Sequence, residues 1–342
     1  MGALCACTSE SDTNPSEGLN ACVTFTAAEV ARTSLIYNSN ITGDAFAVYG
    51  DMVRTDIAGA TSSATFTGTK VSHNGSAWVY DDARYWIPSN TYTFAALYPF
   101  AAPGLADISY QNSTLSFTYN YPTDYTDASD LLVSAHRRIY EKSETEQAAP
   151  VAFPFSHIMA RLDFVANVSP AIGNGSVTIR RITMSGVSVQ GQYTITPAPV
   201  TTGNLTYDCS VSGWALTATD VTTPALFSIE PDITLPAAGS DDDRFTHRFF
   251  PLDSNPLLVI PQTLSSDVAV TIHYTVTAPG GSPQEMEATS YLRQMAVATH
   301  GGKWEAGKSY CYNFTLGADG LVIFSAPSTR PWGAAEGGNY II

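Results

Sequence analysis

The chain has 342 residues, more than one typical β-sandwich needs and enough for two. Its net charge of −15, from 16 basic and 31 acidic residues, argues against nucleic-acid binding, because phosphate contacts need a basic surface. The sequence contains no run of about 18 apolar residues, which a membrane-spanning helix would require.

The N-terminal stretch, residues 1–20, is mostly polar and lacks both the basic region and the full apolar region of an intact signal peptide. Within it, Leu4-Cys5-Ala6-Cys7 followed by a spacer rich in Ser, Thr, Asp and Asn resembles the end of a bacterial lipoprotein signal. The alternative is an arbitrary N-terminus with two stray cysteines. We expect residues 1–20 to be a lipoprotein-type N-terminus and a flexible tether.

Short segments with period-two apolar patterning, separated by turn residues, then predict a series of strands in the first half. These predicted strands are 22–26, 44–50, 64–70, 77–80, 91–98, 114–119 and 130–135. The sequence His73-Asn74-Gly75 predicts a tight hairpin turn between the third and the fourth of them.

A charged, weakly hydrophobic run, EKSETEQAAP at 141–150, interrupts this series and is followed by VAFPFSHIMARLDF at 151–164. In the second stretch the apolar phase reverses near Ser156 and His157, as at a bulge or where a chain enters a new sheet. After the reversal one apolar face is predicted to be buried, consisting of Ile158, Ala160, Leu162 and Phe164. A polar linker before a fresh strand predicts a boundary between two domains, 21–148 and 149–342.

The second half again shows short strand patterns at roughly ten-residue spacing, which is typical of β-sandwiches. They lie at 176–182, 186–195, 214–219, 257–260, 268–277, 288–297 and 309–316, before a Gly- and Pro-rich segment at 320–342. The predicted fold class is therefore all-β, with about seven strands in each half.

Side chains that could perform chemistry do not converge in the sequence. The six histidines are scattered, the five cysteines contain no CxxC pair, and no Gly-rich phosphate loop or nucleophile elbow occurs. We interpret Asp241–Asp243 as a hairpin tip, the aspartates 124, 127 and 130 as turn residues, and His157 as a packed, hydrogen-bonded side chain. Cys209 and Cys311 could pair in an oxidising compartment. The sequence predicts no catalytic, cofactor or metal site, and we expect no enzyme activity.

The aromatic residues allow two interpretations. Five tryptophans and 18 tyrosines could form sugar-stacking platforms, but aromatics at period two in β proteins more often fill the core. The tryptophans concerned are Trp78, Trp86, Trp214, Trp304 and Trp332.

Several stretches together resemble the fimbrillin-like family, the subunits of the type V pili of Bacteroidales. They are NACVTFTAAEVAR at 20–32, DAFAVYG at 44–50, YWIPSNTYTFAALYP at 85–99, DLLVSA with FPFSHIMARLDF at 130–164, and WEAGKSYCYNFTL at 304–316 with RPWG at 330–333. Their order and spacing cover nearly the whole chain.

The resemblance implies two transthyretin-like β-sandwiches in tandem, no enzyme activity, and a cell-surface pilus assembled with other subunits of the same kind. It implies a precursor that is lipidated at Cys7 and carried to the outer membrane. There an arginine-specific protease removes the first strand, and a strand of a neighbouring subunit replaces it in an extracellular fimbrium. Arg32 is the expected cut, because residues 1–31 contain no Lys or Arg. The segment 320–342 is the candidate donor strand, unless it completes its own domain.

Two alternatives remain open from the sequence. The chain could be a non-polymerising outer-membrane lipoprotein that binds glycans or host ligands, or it could be the tip or anchor subunit of a pilus. A carbohydrate-active enzyme is disfavoured, because no pair of convergent carboxylates is visible.

Overall fold

The computed structural model describes residues 22–29, 44–140, 150–197, 209–219, 227–229, 233–235, 246–250, 257–317, 322–324 and 327–331. The described chain is almost entirely β-structure, as predicted, and its strands are numbered β1 to β24 along the sequence. It also contains one α-helix, α1 (Leu292–His300), and 3-10 turns at Tyr125–Asp127 and Pro170–Ile172. Asp124 caps the first of these turns through its side chain, so its predicted role as a turn residue is confirmed.

The first sheet has seven strands and holds most of the N-terminal half. In spatial order they are β1 (Phe25–Glu29), β9 (Val151–His157), β8 (Leu132–Tyr140), β5 (Asn90–Tyr98), β2 (Ala45–Arg54), β3 (Ser63–His73) and β4 (Trp78–Val79). The predicted hairpin is confirmed: β3 and β4 pair on either side of Asn74 and Gly75, and Gly75 adopts a φ of +99° that suits glycine. β9 pairs with β8 over only two residues. This ladder stops short of Pro154, which has no N–H to donate.

Two sheets form a sandwich in the C-terminal half. The second sheet contains β10 (Ala160–Val168), β16 (Thr246–Phe250), β17 (Leu257–Val259), β22 (Lys308–Leu316), β23 (Val322–Phe324) and β24 (Ser328–Pro331). The third sheet contains β11 (Ser176–Ser185), β14 (Phe227–Ile229), β15 (Ile233–Leu235), β19 (Ala269–Thr277) and β20 (Gln284–Tyr291). One apolar core fills the space between these two sheets and α1.

A fourth sheet joins the two halves of the sequence. It is formed by β6 (Leu105–Gln111), β7 (Thr114–Asn120), β12 (Ser188–Pro197) and β13 (Cys209–Thr219). A separate two-stranded sheet is formed by β18 (Gln262–Thr263) and β21 (Lys303–Trp304). β7 precedes the charged linker and β12 follows it, and they pair antiparallel. The fourth sheet packs on one face of the first sheet through a core of its own.

The hairpin of β6 and β7 is fastened to the first sheet by a buried carboxylate. Asp51 of β2 accepts hydrogen bonds from Ser113 Oγ at 2.9 and 3.0 Å and from Tyr110 Oη at 3.4 Å. Burial raises the pKa of Asp51, and the hydrogen bond from Ser113 opposes that rise. These bonds tie the turn at the end of the hairpin to the sheet beneath it.

The reversal of apolar phase at residues 156–157 marks the passage from one sheet to another. Val151, Phe153 and Phe155 of β9 lie in the core of the first sheet, whereas Leu162 and Phe164 of β10 lie in the C-terminal sandwich. The four residues predicted to be buried after the reversal are all buried: Ile158, Ala160, Leu162 and Phe164. Sheet membership thus changes between β9 and β10, after the linker. The division into domains 21–148 and 149–342 stays a prediction.

The strand predicted at 288–297 is wrong in its second part, because β20 ends at Tyr291 and α1 begins at Leu292. The sequence LRQMA consists of good helix formers, and Leu292 and Ala296, four residues apart, are both buried on one face. Gly301, at a φ of +67°, ends the helix in the left-handed conformation.

Candidate functional site

The first strand closes the first sheet. β1 pairs parallel with β9 in the register Phe25 to Val151 through Glu29 to Phe155. The sheet curls until its opposite end, β4 and the turn after it, meets the start of β1. There Tyr80 Oη donates to the Val23 carbonyl at 2.7 Å, and Val23 N donates to the Arg84 carbonyl at 2.8 Å. A first strand is present near the predicted 22–26, but β1 spans Phe25–Glu29, three residues further along the chain. We call the line where residues 22–26 meet the β4 end the seam.

The inward side chains of β1 complete an aromatic core. Val23 is 1% exposed and Phe25 is 3% exposed, whereas Thr26 faces solvent, as the alternation of a strand requires. The Phe25 ring lies 5.3 Å from Phe66, 5.4 Å from Tyr80, 5.6 Å from Phe153 and 6.1 Å from Phe94, measured between ring centroids. Burial of a phenylalanine side chain stabilises by about 1.5–3 kcal/mol. Loss of β1 would leave an aromatic pocket open to water.

A groove of about 320 Å³ runs along the seam between β1 and the β3–β4 hairpin. It is lined by residues 22–26, 76–80, His73, Ala83 and Pro150. In the described part of the chain β1 has a ladder only with β9, so the other edge of Phe25–Glu29 has no strand hydrogen-bonded to it. An edge of this kind can accept another strand.

Several residues singled out in the sequence, including both predicted processing residues, lie outside the described residues. These are Cys5, Cys7, Arg32, residues 141–149, Asp241–Asp243 and residues 332–342 with Trp332. In the chain, Arg32 follows soon after Glu29, the last residue of β1. The side chain of Cys209 is also outside the description, and its pairing with Cys311 stays a prediction.

The described parts of the candidate donor segment pair with their own chain. β23 pairs antiparallel with β22 in the register Phe314 to Phe324 through Leu316 to Val322, and β24 pairs with the start of β22. In this structure these parts of 320–342 therefore complete the second sheet. A donor role would require them to leave β22.

The described tryptophans do not share one surface. Trp86 and Trp304 are buried, and Trp78 packs on Phe46 with 4.9 Å between centroids. Trp214 packs on Tyr193 at 5.0 Å and donates its indole N–H to the Ile158 carbonyl at 2.7 Å. Trp86 and Trp304 are therefore confirmed as core side chains, whereas Trp78 and Trp214 are half-buried and pack against the apolar cores.

His157 has the packed, hydrogen-bonded role that the sequence predicted. Its Nδ1 lies 2.8 Å from Asp130 Oδ2, where β9 ends beside β8. Among the described residues no group of three His, Cys, Asp or Glu side chains could hold a metal ion, and no helix is long and apolar enough to cross a membrane.

Sequence reasoning missed the side chains across the seam from β1. Tyr80 ends a predicted strand, and Phe66 and Phe94 lie in predicted strands, so their local structure was accessible. These three side chains come together around Phe25 only because the sheet curls and because β1 pairs parallel with β9. Neither feature produces a recognisable pattern in the local sequence. Aromatic residues at inward positions of several separate strands were the available indication.

A family model described as fimbrillin-like matches residues 32–332, while no curated protein matches the chain. Among solved structures, a fimbrial protein from Bacteroides vulgatus is similar at a TM-score of 0.57 and 15% identity, covering 92% of this chain and 100% of that one. A putative cell adhesion protein from Bacteroides uniformis is similar at a TM-score of 0.44 and 17% identity over 91% and 98% of the two chains. The fimbrial anchor protein Mfa2 from Porphyromonas gingivalis is similar at a TM-score of 0.35 and 11% identity, with 92% and 98% covered.

Proposed function

The chain belongs to the fimbrillin-like family of pilus-related, cell-surface proteins, and from that premise we propose that it is a structural subunit of a pilus assembled by strand exchange. The observation that carries the proposal is the seam. β1 fills the aromatic core of the first sheet, but in the described part of the chain it has only one neighbour in a ladder.

The assembly step follows from what β1 supplies. A protease cut at Arg32 separates β1 from the rest of the fold covalently, while Val23 and Phe25 still hold it in the core. When β1 leaves, it exposes the edge of β9 and the pocket around Phe25. A strand from a second subunit restores both the ladder and the core in one step.

The donor in this proposal is the segment 320–342 of the neighbouring subunit. β23 and β24 are short strands at the border of the second sheet, and within the described residues each pairs only with β22. Short edge strands are among the less stable parts of a sheet, so they are suited to changing partners.

The route to the cell surface is part of the same proposal. The precursor is lipidated at Cys7, reaches the outer membrane, and is cut there by an arginine-specific protease. The four-residue match at Leu4–Cys7 and the resemblance to the family support this route. Metabolic labelling with a fatty acid should be lost in a Cys7→Ser variant, and labelling that persists in this variant would contradict lipidation at Cys7.

Arg32→Ala tests strand exchange. The purified variant, incubated with an arginine-specific protease, should keep its N-terminal peptide and stay monomeric, whereas the unmodified chain forms a ladder of polymers. Arg54→Ala is the matched control, because Arg54 is an exposed arginine at the end of β2 and its loss leaves Arg32 available. Polymers of Arg32→Ala that equal those of the unmodified chain would overturn the proposal.

A further inference from the structure

We propose that Tyr80 is a latch that keeps β1 seated after the chain has been cut. The inference rests on the proposed function, because it assigns a regulatory residue to the same strand exchange. The latch is the hydrogen bond from Tyr80 Oη to the Val23 carbonyl, 2.7 Å long.

The two ends of β1 are held differently. At the N-terminal end, Val23 is bonded across the seam to Tyr80 and Arg84, and the Thr24 carbonyl accepts from Val151 N at 2.8 Å. This end is therefore held by hydrogen bonds on both of its edges. At the C-terminal end, Ala27–Glu29 pair with Phe153–Phe155 of β9, and no described strand pairs with their other edge.

This difference between the two ends sets the order in which the residues of β1 detach from the sheet. The proposed cut at Arg32 creates a new chain end next to Glu29, at the end held from one side. Opening starts there, because the fewest interactions must break to begin it. Residues 22–25 are then the last to leave, and the latch on Val23 governs the final step of release.

Tyr80 is held in place for this task. Its hydroxyl oxygen accepts from Arg84 N at 3.3 Å, which leaves its proton directed at the Val23 carbonyl. Its ring packs on Phe25 at 5.4 Å and on Phe66 at 5.5 Å between centroids. Because the bond goes to a main-chain carbonyl, it retains the strand by its backbone, whatever side chain the strand presents at that point.

With this latch, the cut subunit persists in a state in which β1 is still bound. β1 stays paired with β9 until another strand displaces it, so the aromatic pocket is not exposed to water between the cut and the exchange. An empty groove with an open edge would invite unspecific strand pairing. Tyr80 would thus separate the timing of the cut from the timing of assembly.

The test measures release of the cut peptide directly. A site for a sequence-specific protease is placed at residues 33–38 of the full chain, and a fluorophore is attached to the N-terminal amine. After cleavage, dissociation of the labelled peptide is followed by fluorescence anisotropy in an excess of unlabelled peptide. Tyr80→Phe removes the hydroxyl and keeps the ring, so dissociation should become roughly tenfold faster, as expected for loss of one such hydrogen bond.

Tyr121→Phe is the matched control. Tyr121 Oη also donates to a main-chain carbonyl at 2.7 Å, that of Leu258, away from the seam. It should release the peptide at the rate of the unmodified chain. Equal acceleration in both variants, no acceleration in Tyr80→Phe, or immediate release from the unmodified chain would each overturn the latch.

The result is separable from the proposed function. The cut is engineered and the readout is a dissociation rate, so neither depends on cleavage at Arg32 or on the formation of polymers. Failure of Arg32→Ala to block assembly would leave the release rates interpretable, and failure of the latch would leave strand exchange standing.

Discussion

Two parallel strand pairs lie on either side of the junction at residues 157–160, and they differ in how far neighbouring strands enclose them. β1 and β9 pair over Phe25–Glu29, and β1 has no further strand beside it in the described chain. β10 and β22 pair over residues 161–168 and 309–316, and each has antiparallel neighbours on its other side. The first pair is therefore open to exchange along one edge, whereas the second is enclosed.

The two strand pairs also differ in the kind of contacts that hold them together. The pair of β10 and β22 holds an ion pair that is almost completely buried: Arg161 Nε and one terminal nitrogen donate to Asp163 Oδ1 at 3.2 Å, and Ser309 Oγ donates to Oδ2 at 3.0 Å. β1 contributes apolar side chains and main-chain bonds, which any strand of suitable pattern can replace. Specific buried polar groups thus hold the enclosed pair, whereas apolar and main-chain contacts that another strand could supply hold the pair with an open edge.

Asp163→Ala should produce the largest effect. It removes the carboxylate partner of Arg161, whose side chain is 0% exposed, and loss of one partner from a buried pair costs about 3–5 kcal/mol. The free energy of unfolding, measured by urea titration, should fall by that amount.

Asp56→Ala is the matched control for this prediction. Arg54 and Asp56 have the same spacing in sequence as Arg161 and Asp163, but both side chains of this pair are about half exposed. The control should unfold like the unmodified protein, because solvent screens the pair. Equal losses in the two variants would mean that the buried pair does not stabilise β10 and β22.

Leu162→Ala and Phe25→Ala compare the two cores directly. Leu162 is fully buried in the C-terminal sandwich, so its truncation should lower the free energy of unfolding by about 2–5 kcal/mol. Phe25→Ala should shift the main urea transition less, because β1 can detach before the rest of the fold opens. It should instead make residues 22–32 sensitive to limited proteolysis. Equal shifts in the main transition, with β1 still protected, would contradict the comparison.

Acid should weaken the first sheet through His136, which lies in β8 and is 2% exposed. Burial, and secondarily the charge of Arg138, lower the pKa of His136 to about 4. The unfolded side chain titrates near 6.5, so the stability that its neutral form contributes is present above pH 6.5 and is lost as pH falls through about 4. The loss between pH 7 and pH 4 should be on the order of 2–3 kcal/mol.

His136→Met checks this pH dependence, because it fills the site without a titrating group. In urea titrations at several pH values, the variant should lose less stability between pH 6.5 and pH 4 than the unmodified protein. Parallel pH profiles for the two proteins would show that His136 does not cause the acid sensitivity.

Much of the fold could be predicted because its strands carry local patterns. The strand at 91–98, the turn at His73–Gly75 and the phase reversal at Ser156 and His157 are each encoded within a few neighbouring residues. The reversal coincides with a change of core, because Phe153 lies in the core of the first sheet and Leu162 in that of the C-terminal sandwich.

The rest depends on contacts between distant parts of the chain. The parallel pairing of Phe25 with Val151 and the bond from Tyr80 to Val23 join segments that no short pattern relates. α1 was not predicted because Ala288–Tyr291 alternates like a strand and runs without a break into the helix formers that begin at Leu292. The proposed site is therefore the part of the molecule that the sequence predicted least well.

Native-state hydrogen exchange is the most direct test of the claim that β1 is exchangeable and β10 is permanent. Amides of residues 25–29 and of residues 161–168 are followed in the uncut protein at increasing, sub-denaturing urea concentrations. We predict that the amides of β1 exchange by a local opening whose free energy is low and nearly independent of urea, while those of β10 exchange only through global unfolding. Exchange of both sets with the same free energy and the same urea dependence would contradict the account.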